Sequence, residues 1–467
     1  MDLDANQRDP ESPATGASKP ATQSGIVPGM HPELHAEGDR LALRGDLLDF
    51  TGMPGWDEVE SAAVRYRPDH WLLVAAGRVV GAQPGAQAPD GSWRRIDHRG
   101  QLLLPGFIDS HVHSPQLDVI ASHGTELLDW LDTYTFPAEA RFSDPAEAQA
   151  GAVRFVEALL AHGTTSAVVF PTVHKVSADR LFAAAAERGM RLITGKILMD
   201  RHAPPALCDD VVGGERDCRE LIARWHGRER LSYAVTVRFA PSSSPAQLAM
   251  AGRLCAEVPG VYLQTHVAEN RDEVALARSL FPEARSYLDV YGRAGLLSPR
   301  SVLAHGIWLD DEDRALLRDS GAQIAHSPSS NLFLGSGLFD WPAALDAGVA
   351  VSVASDVGGG TSLSMIRTMA DAYRVQAMAG RRLTAWKALH SVTLGSAEAL
   401  GLEGEIGSFA IGATADVCVW DWAAGSVAER RMAMARNLHE RLFAWMMLAD
   451  ERNLAAAYVA GFARFKR

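Results

Sequence analysis

Two histidines one residue apart, His111 and His113, close a short apolar run that begins at Leu102. Side chains alternate with a period of two on an extended backbone, so both imidazoles point to one side and offer two nitrogen donors to one metal ion. Such a site needs more donors, a proton-transfer group and a wall for its substrate. Further along, His266, His305, His326, Asp356 and the pair Arg238-Phe239 each end a short apolar run, and Glu269 follows His266 by three positions. Each alone has an ordinary explanation: a core histidine, a helix-capping aspartate, a rim arginine, a first-turn glutamate favoured by the helix dipole. Jointly they must all fall on run ends, and that placement is specific although no member is. Three imidazoles and a carboxylate suit Zn²⁺ with a position left for water, whose pKa then falls to roughly 7. Iron or Mn²⁺ also suits such a set, because metal supply as well as geometry decides occupancy. Glu269, expected one helical turn beyond His266, is the natural proton shuttle. The face of Phe239 suits a flat neutral ring, and Arg238 with the amide of Gln116 supplies polar partners for its edge.

The elements that must position these groups are legible as a beat of apolar run and helix. Eight runs lead to His111, Phe170, Leu198, Phe239, His266, His305, His326 and Asp356. Between them lie helical patterns such as Ala146–Ala161, Ala178–Arg188, Ser244–Ala256 and Asp310–Ser320, several stopped by glycine (Gly163, Gly189, Gly321). Eight strand–helix units predict a closed (β/α)8 barrel over residues 105–404, with reactive groups at the C-terminal strand ends. Short alternating runs, read as antiparallel strands, fill residues 38–104. They return beyond residue 405 (Ala415–Trp420 and Ala455–Ala460), separated by a helix-like stretch, Ala433–Leu448. These flanking segments, 38–104 and 405–467, are expected to form one small β-sandwich domain into which the barrel is inserted. Residues 1–37, rich in Asp, Pro, Ser, Gly and Ala, read as a flexible N-terminal tail.

The net charge of −12, with both signs interspersed, argues against a nucleic-acid groove, which needs concentrated Lys and Arg. Four cysteines without metal-site spacing and a polar N-terminus predict reduced thiols in a cytoplasmic protein, and no apolar stretch reaches membrane-span length. His35-Ala-Glu37 matches half of the cytidine-deaminase signature, but the paired cysteines are missing; H-E-x-x-H and G-x-S-x-G are absent.

Pro105-Gly-Phe-Ile-Asp-Ser-His-Val-His113 resembles the opening motif of the amidohydrolase superfamily. More narrowly, His113-Ser-Pro-Gln116, Leu128 to Glu139, Val237-Arg-Phe239, Thr265 to Glu273, Leu303-Ala-His-Gly306, Ser330 to Gly337 and Ser355 to Gly360 resemble the guanine deaminase family. The resemblance implies one Zn²⁺ per chain on His111, His113, His266 and Asp356, and a base-binding wall of Gln116, Arg238 and Phe239. It also implies Glu269 and Asp356 as proton carriers, His305 as hydrogen-bond partner of the attacking water or the intermediate's oxygen, and a homodimer. The expected reaction is hydrolytic deamination of guanine to xanthine and ammonia, with a purine base as the small-molecule partner. Ser327-Pro-Ser329 departs from the Cys-Pro-Asn or Cys-Pro-Thr of many relatives. Two alternatives are the same chemistry on another heterocycle (cytosine, 8-oxoguanine, a pterin, a triazine) and a non-catalytic barrel that binds without turnover.

Overall fold

Runs of β-branched and aliphatic residues between amphipathic helices bury both faces of each strand, the condition for a parallel sheet. In the computed structural model, which describes residues 40–123 and 126–467, eight such strands follow one another in chain order around a nearly closed barrel. They are Phe107–His113, Thr164–Phe170, Arg191–Thr194 with its continuation Ile197–Leu198, Leu231–Phe239, Tyr262–Val267, Ser301–His305, Gln323–His326 and Val351–Val353. The flexible tail expected over residues 1–37 lies outside the described residues.

Backbone hydrogen bonds close the gap between the last strand and the first. Asp356 N–H donates to His111 O (2.9 Å) and His113 N–H to Val357 O (2.8 Å), so the two ends of the barrel meet at the proposed ligands. The expected helices occur at Pro145–Ala161, Lys175–Arg188, Pro245–Glu257 and Asp311–Ser320, the last two capped by the side chains of Ser244 and Asp310. Gly189 (φ 68°) and Gly321 (φ 72°) terminate two helices in the left-handed conformation. The stretch expected as one helix over Ala433–Leu448 is broken: one helix ends at Ala433, and a second, Leu438–Leu448, starts afresh behind an Asn437 cap.

The flanking segments share one seven-stranded sheet. Its order is Phe462–Lys466, Leu454–Val459, Val417–Trp420, Arg94–Pro105, Arg40–Phe50, Val64–Ala75 and Arg78–Pro84. The pairing of Arg40–Phe50 with Arg94–Pro105 is parallel, not antiparallel as expected: the hairpin Val64–Ala75 and Arg78–Pro84 comes between them in sequence and packs on the opposite edge of Arg40–Phe50, so the chain crosses over to pair on the other side. The sheet rolls so that its edge strand Arg78–Pro84 meets the segment leading into Val417–Trp420, with Val79 N–H donating to Ala413 O (2.8 Å), and it encloses Leu43, Leu72, Val79, Val417 and Tyr458. The expected sandwich is thus a single sheet folded over its own core. Arg94–Pro105 runs through Gly106 into the first barrel strand; a Cβ at Gly106 would lie 2.1 Å from Thr165 Oγ1, so only glycine fits this junction. Among the described residues no helix is long and apolar enough to cross a membrane.

Candidate active site

Strand alternation places His111 and His113 on one face, as expected, and Phe170 at the end of the neighbouring strand supplies the floor beneath them. Its ring lies 4.9 Å from His111, 4.8 Å from His113 and 4.8 Å from His266, centroid to centroid. Above this phenyl the donor atoms converge. His113 Nε2 is 3.3 Å from His111 Nε2, 3.1 Å from His266 Nε2 and 3.4 Å from Asp356 Oδ1, and His111 Nε2 is 3.1 Å from the same oxygen. Four donors about 2.1 Å from one cation in a tetrahedron stand about 3.4 Å apart, close to these separations. The donor chemistry fits as well: His266 Nδ1 contacts Arg238 O at 2.6 Å, which as donor leaves its Nε2 lone pair facing the cluster. The group His111, His266, His305 and Asp356 also lies within 4.8 Å, but His305 Nε2 stands 3.6 Å from the nearer Asp356 oxygen, so His113 completes the tighter set.

Burial sets the protonation states. Desolvation drives His113 down to about 3 and His266 well below its ordinary value, keeping both imidazoles neutral as ligands must be. Burial pushes Asp356 upward, but the surrounding imidazoles outweigh it and hold the carboxyl well below the usual range. Glu269 goes the other way. Desolvation, then the Asp356 charge, lift it to about 8 against the donated hydrogen bond of Ser336 Oγ (3.1 Å). His305 stands between the two carboxylates, its Nε2 3.4 Å from Glu269 Oε2, while its Nδ1 contacts Asn331 Oδ1 at 2.8 Å. His305 (φ 72°) and Asp356 (φ 50°) both hold left-handed backbone, a strain that concentrates at functional sites.

The cavity beside this cluster measures about 430 Å³ including its open mouth. Gln116, Arg238, Phe239 and Glu269 line it, with Trp130 and Leu131 from a helical segment that covers the first strand end. Every proposed site residue therefore gathers at one end of the barrel. Glu269 does so from a loop rather than from a helical turn: the following helix starts at Arg271 behind the Asn270 cap. His326, although it ends a strand, packs against Phe339 (4.9 Å) and Trp341 (5.7 Å) instead of lining the cavity.

Several residues escaped the sequence reading. Glu139 accepts from Arg238 Nη1 at 2.7 and 2.9 Å. Asn331 and Ser336 hold His305 and Glu269. Asp109, raised to about 6 chiefly by burial, accepts from the backbone N–H of Ser355 (3.0 Å) and of His111 (3.3 Å) and so ties the first barrel strand to the segment beyond the last. Glu273 accepts from Glu269 N–H (2.9 Å) and Tyr287 OH (2.6 Å). All lie in the stretches that carry the family resemblance, which was the available signal; none ends a strand.

This constellation on a (β/α)8 barrel defines a metal-dependent hydrolase class. The amidohydrolase family model matches residues 102–462, and the chain belongs to the amidohydrolase family. It is 41% identical over 430 residues to guanine deaminase of Escherichia coli (strain K12), covering 91% of this chain and 98% of that one. A solved structure of the E. coli guanine deaminase superposes with a TM-score of 0.87 over 92% of this chain and 99% of the other, at 40% identity. The C. acetobutylicum guanine deaminase with bound guanine in its active site superposes with a TM-score of 0.82 at 27% identity, over 91% and 100% of the two chains.

Proposed function

We propose that this protein hydrolyses guanine to xanthine and ammonia with one Zn²⁺ on His111, His113, His266 and Asp356. The single observation that carries the reading is the convergence of that donor set with Glu269 and the Arg238–Gln116–Phe239 wall around one cavity. The metal, when bound, supplies a water activated toward hydroxide at neutral pH. Everything else falls to the chain. Phe239 stacks on the base, and Arg238 and Gln116 hydrogen-bond its edge, presenting C2 to the cluster. Glu269, protonated near neutrality, hands its proton to a ring nitrogen beside C2 and recovers one from the attacking water; a second transfer through it lets the amine leave as ammonia. Asp356, ionised at the outset, accepts the second proton that must leave the water's oxygen and returns it to Glu269, which restores both carboxyl groups. His305, held at Nδ1 by Asn331 Oδ1 with its Nε2 turned toward the two carboxylates, is assigned the contact to the oxygen that gains charge.

Incubating the protein with guanine, and following xanthine and ammonia with and without a chelator, tests this reading. Chelator-sensitive formation of both is expected, and their absence from metal-replete protein overturns it. Metal analysis of protein purified without added metal should return zinc. Four free cysteines favour a reducing compartment, so recovery in the cytoplasmic fraction is expected. The family resemblance favours a homodimer, which light scattering at the mass of one chain would refute.

A further inference from the structure

The buried pair Arg238–Glu139 raises a physical question that the deamination reading leaves unanswered. Glu139 is fully buried and Arg238 nearly so, and an ion pair so placed brings little net stability over apolar residues of the same volume. Glu139 belongs to the short helix Phe136–Ala140, above the strand end that carries Arg238. Among the described residues its hydrogen bonds come from the base wall: Arg238 Nη1 donates to both oxygens, and Gln116 Nε2 donates to Oε1 at 3.2 Å. On the other side of the Gln116 amide, Gly358 N–H donates to Oε1 at 3.2 Å. The amide therefore has one sense only: a second N–H and a second oxygen lone pair remain for a ligand. The guanidinium is fixed as well, in its plane by Glu139 and from one face by Phe136, whose ring centroid lies 5.2 Å from Cζ.

We infer that Glu139 is a positioning residue for base specificity: it sets the donor and acceptor sense of Gln116 and the orientation of Arg238, so that the cavity selects a ring carrying an amide-type carbonyl. The inference rests on the guanine reading. It also fits a neutral base: Arg238, the cation beside the base, is already paired with Glu139. Glu139→Gln keeps the shape but replaces one carboxylate oxygen by an N–H donor, which faces Arg238 Nη1 or Gln116 Nε2, donor against donor.

The test compares wild type, Glu139→Gln, Arg238→Met and the double variant. The readouts are guanine kinetics, zinc per chain and the affinity of hypoxanthine, which has the ring carbonyl but no amine to lose. Glu139→Gln should raise the guanine KM and weaken hypoxanthine on the order of 10- to 100-fold, the worth of a hydrogen bond to a charged group. Its kcat should stay within about threefold and its zinc content at the wild-type level, since KM rising alone marks lost binding rather than lost chemistry. In the Arg238→Met background the further change Glu139→Gln should weaken hypoxanthine by a clearly smaller factor than in wild type, because only its hold on Gln116 is left to lose. Unchanged hypoxanthine affinity, equal losses in both backgrounds, or kcat and zinc falling in step with KM would each overturn the inference. A wild-type protein that fails to deaminate guanine sinks the functional reading instead, and hypoxanthine binding still reports on Glu139.

Discussion

Replacing Glu269 by Gln should abolish turnover and yet stabilise the metal-free protein. The carboxyl is 3% exposed and its pKa rises from the usual 4.5 to about 8, chiefly because burial penalises the charge. The folded state thus binds this proton more tightly than the unfolded chain. That advantage is complete below pH 4.5 and is lost as pH rises toward 8, above which no further change follows. Each pH unit in the window weighs about 1.4 kcal/mol, so at pH 7 wild type carries a penalty on the order of 3 kcal/mol that Gln does not. Gln keeps the acceptor for Ser336 and adds little volume, so no compensating loss arises. Unfolding entropy near 2.1 cal/mol/K per residue makes that about 3–4 °C in melting temperature for a chain of this size. Thermal melts of chelated protein between pH 5 and pH 8 should show the two curves separating steadily as pH rises. A separation that does not change with pH, or a less stable variant, refutes the burial argument. Guanine turnover in the same variant should fall by about 10²–10⁴ with bound zinc near wild type; an active variant removes the shuttle role.

Three further outcomes are expected. His113→Ala should lose zinc in metal analysis, whereas His305→Ala should retain it and lose about 10²-fold in kcat, which separates the two donor sets; the reverse pattern would exchange their roles. Arg238→Ala should leave Glu139 without its cation in a fully buried position and cost about 3–5 kcal/mol in denaturant unfolding, besides raising the guanine KM; unchanged stability would show the carboxyl to be well solvated. Gly106→Ala should lower the melting temperature through an overpacking cost of about 1–3 kcal/mol, since its Cβ meets the Thr165 side chain; a wild-type melt would mean that the junction has room to give.

The barrel was readable because its signal is local: a strand buried on both faces writes itself as a continuous apolar run, and its last residue is where function sits. His113 and His305 end their strands, and His111, His266 and Asp356 lie within three residues of a strand end, so all five were legible. Glu139, Asn331, Ser336 and Asp109 were not, since what they do depends on which loop folds over which strand end, a long-range fact with no period. His326 shows the rule failing in the other direction: it ends a strand, but Phe339 and Trp341 fill the space in front of it. The parallel pairing inside the flanking sheet was equally hidden, because register between strands some 50 residues apart is set by packing and not by either sequence alone.

The rolled sheet has a consequence for how the chain is made. Arg94–Pro105 leaves the ribosome early, but its neighbour Val417–Trp420 is synthesised some 310 residues later. At 5–20 residues per second the apolar edge Leu102–Pro105 waits roughly 15–60 s for cover, with a whole barrel emerging in between. Nascent chains arrested before residue 417 should therefore be cut by protease within the first four strands and protected there once residue 466 is clear. Early protection would mean that the barrel itself shelters the orphaned edge.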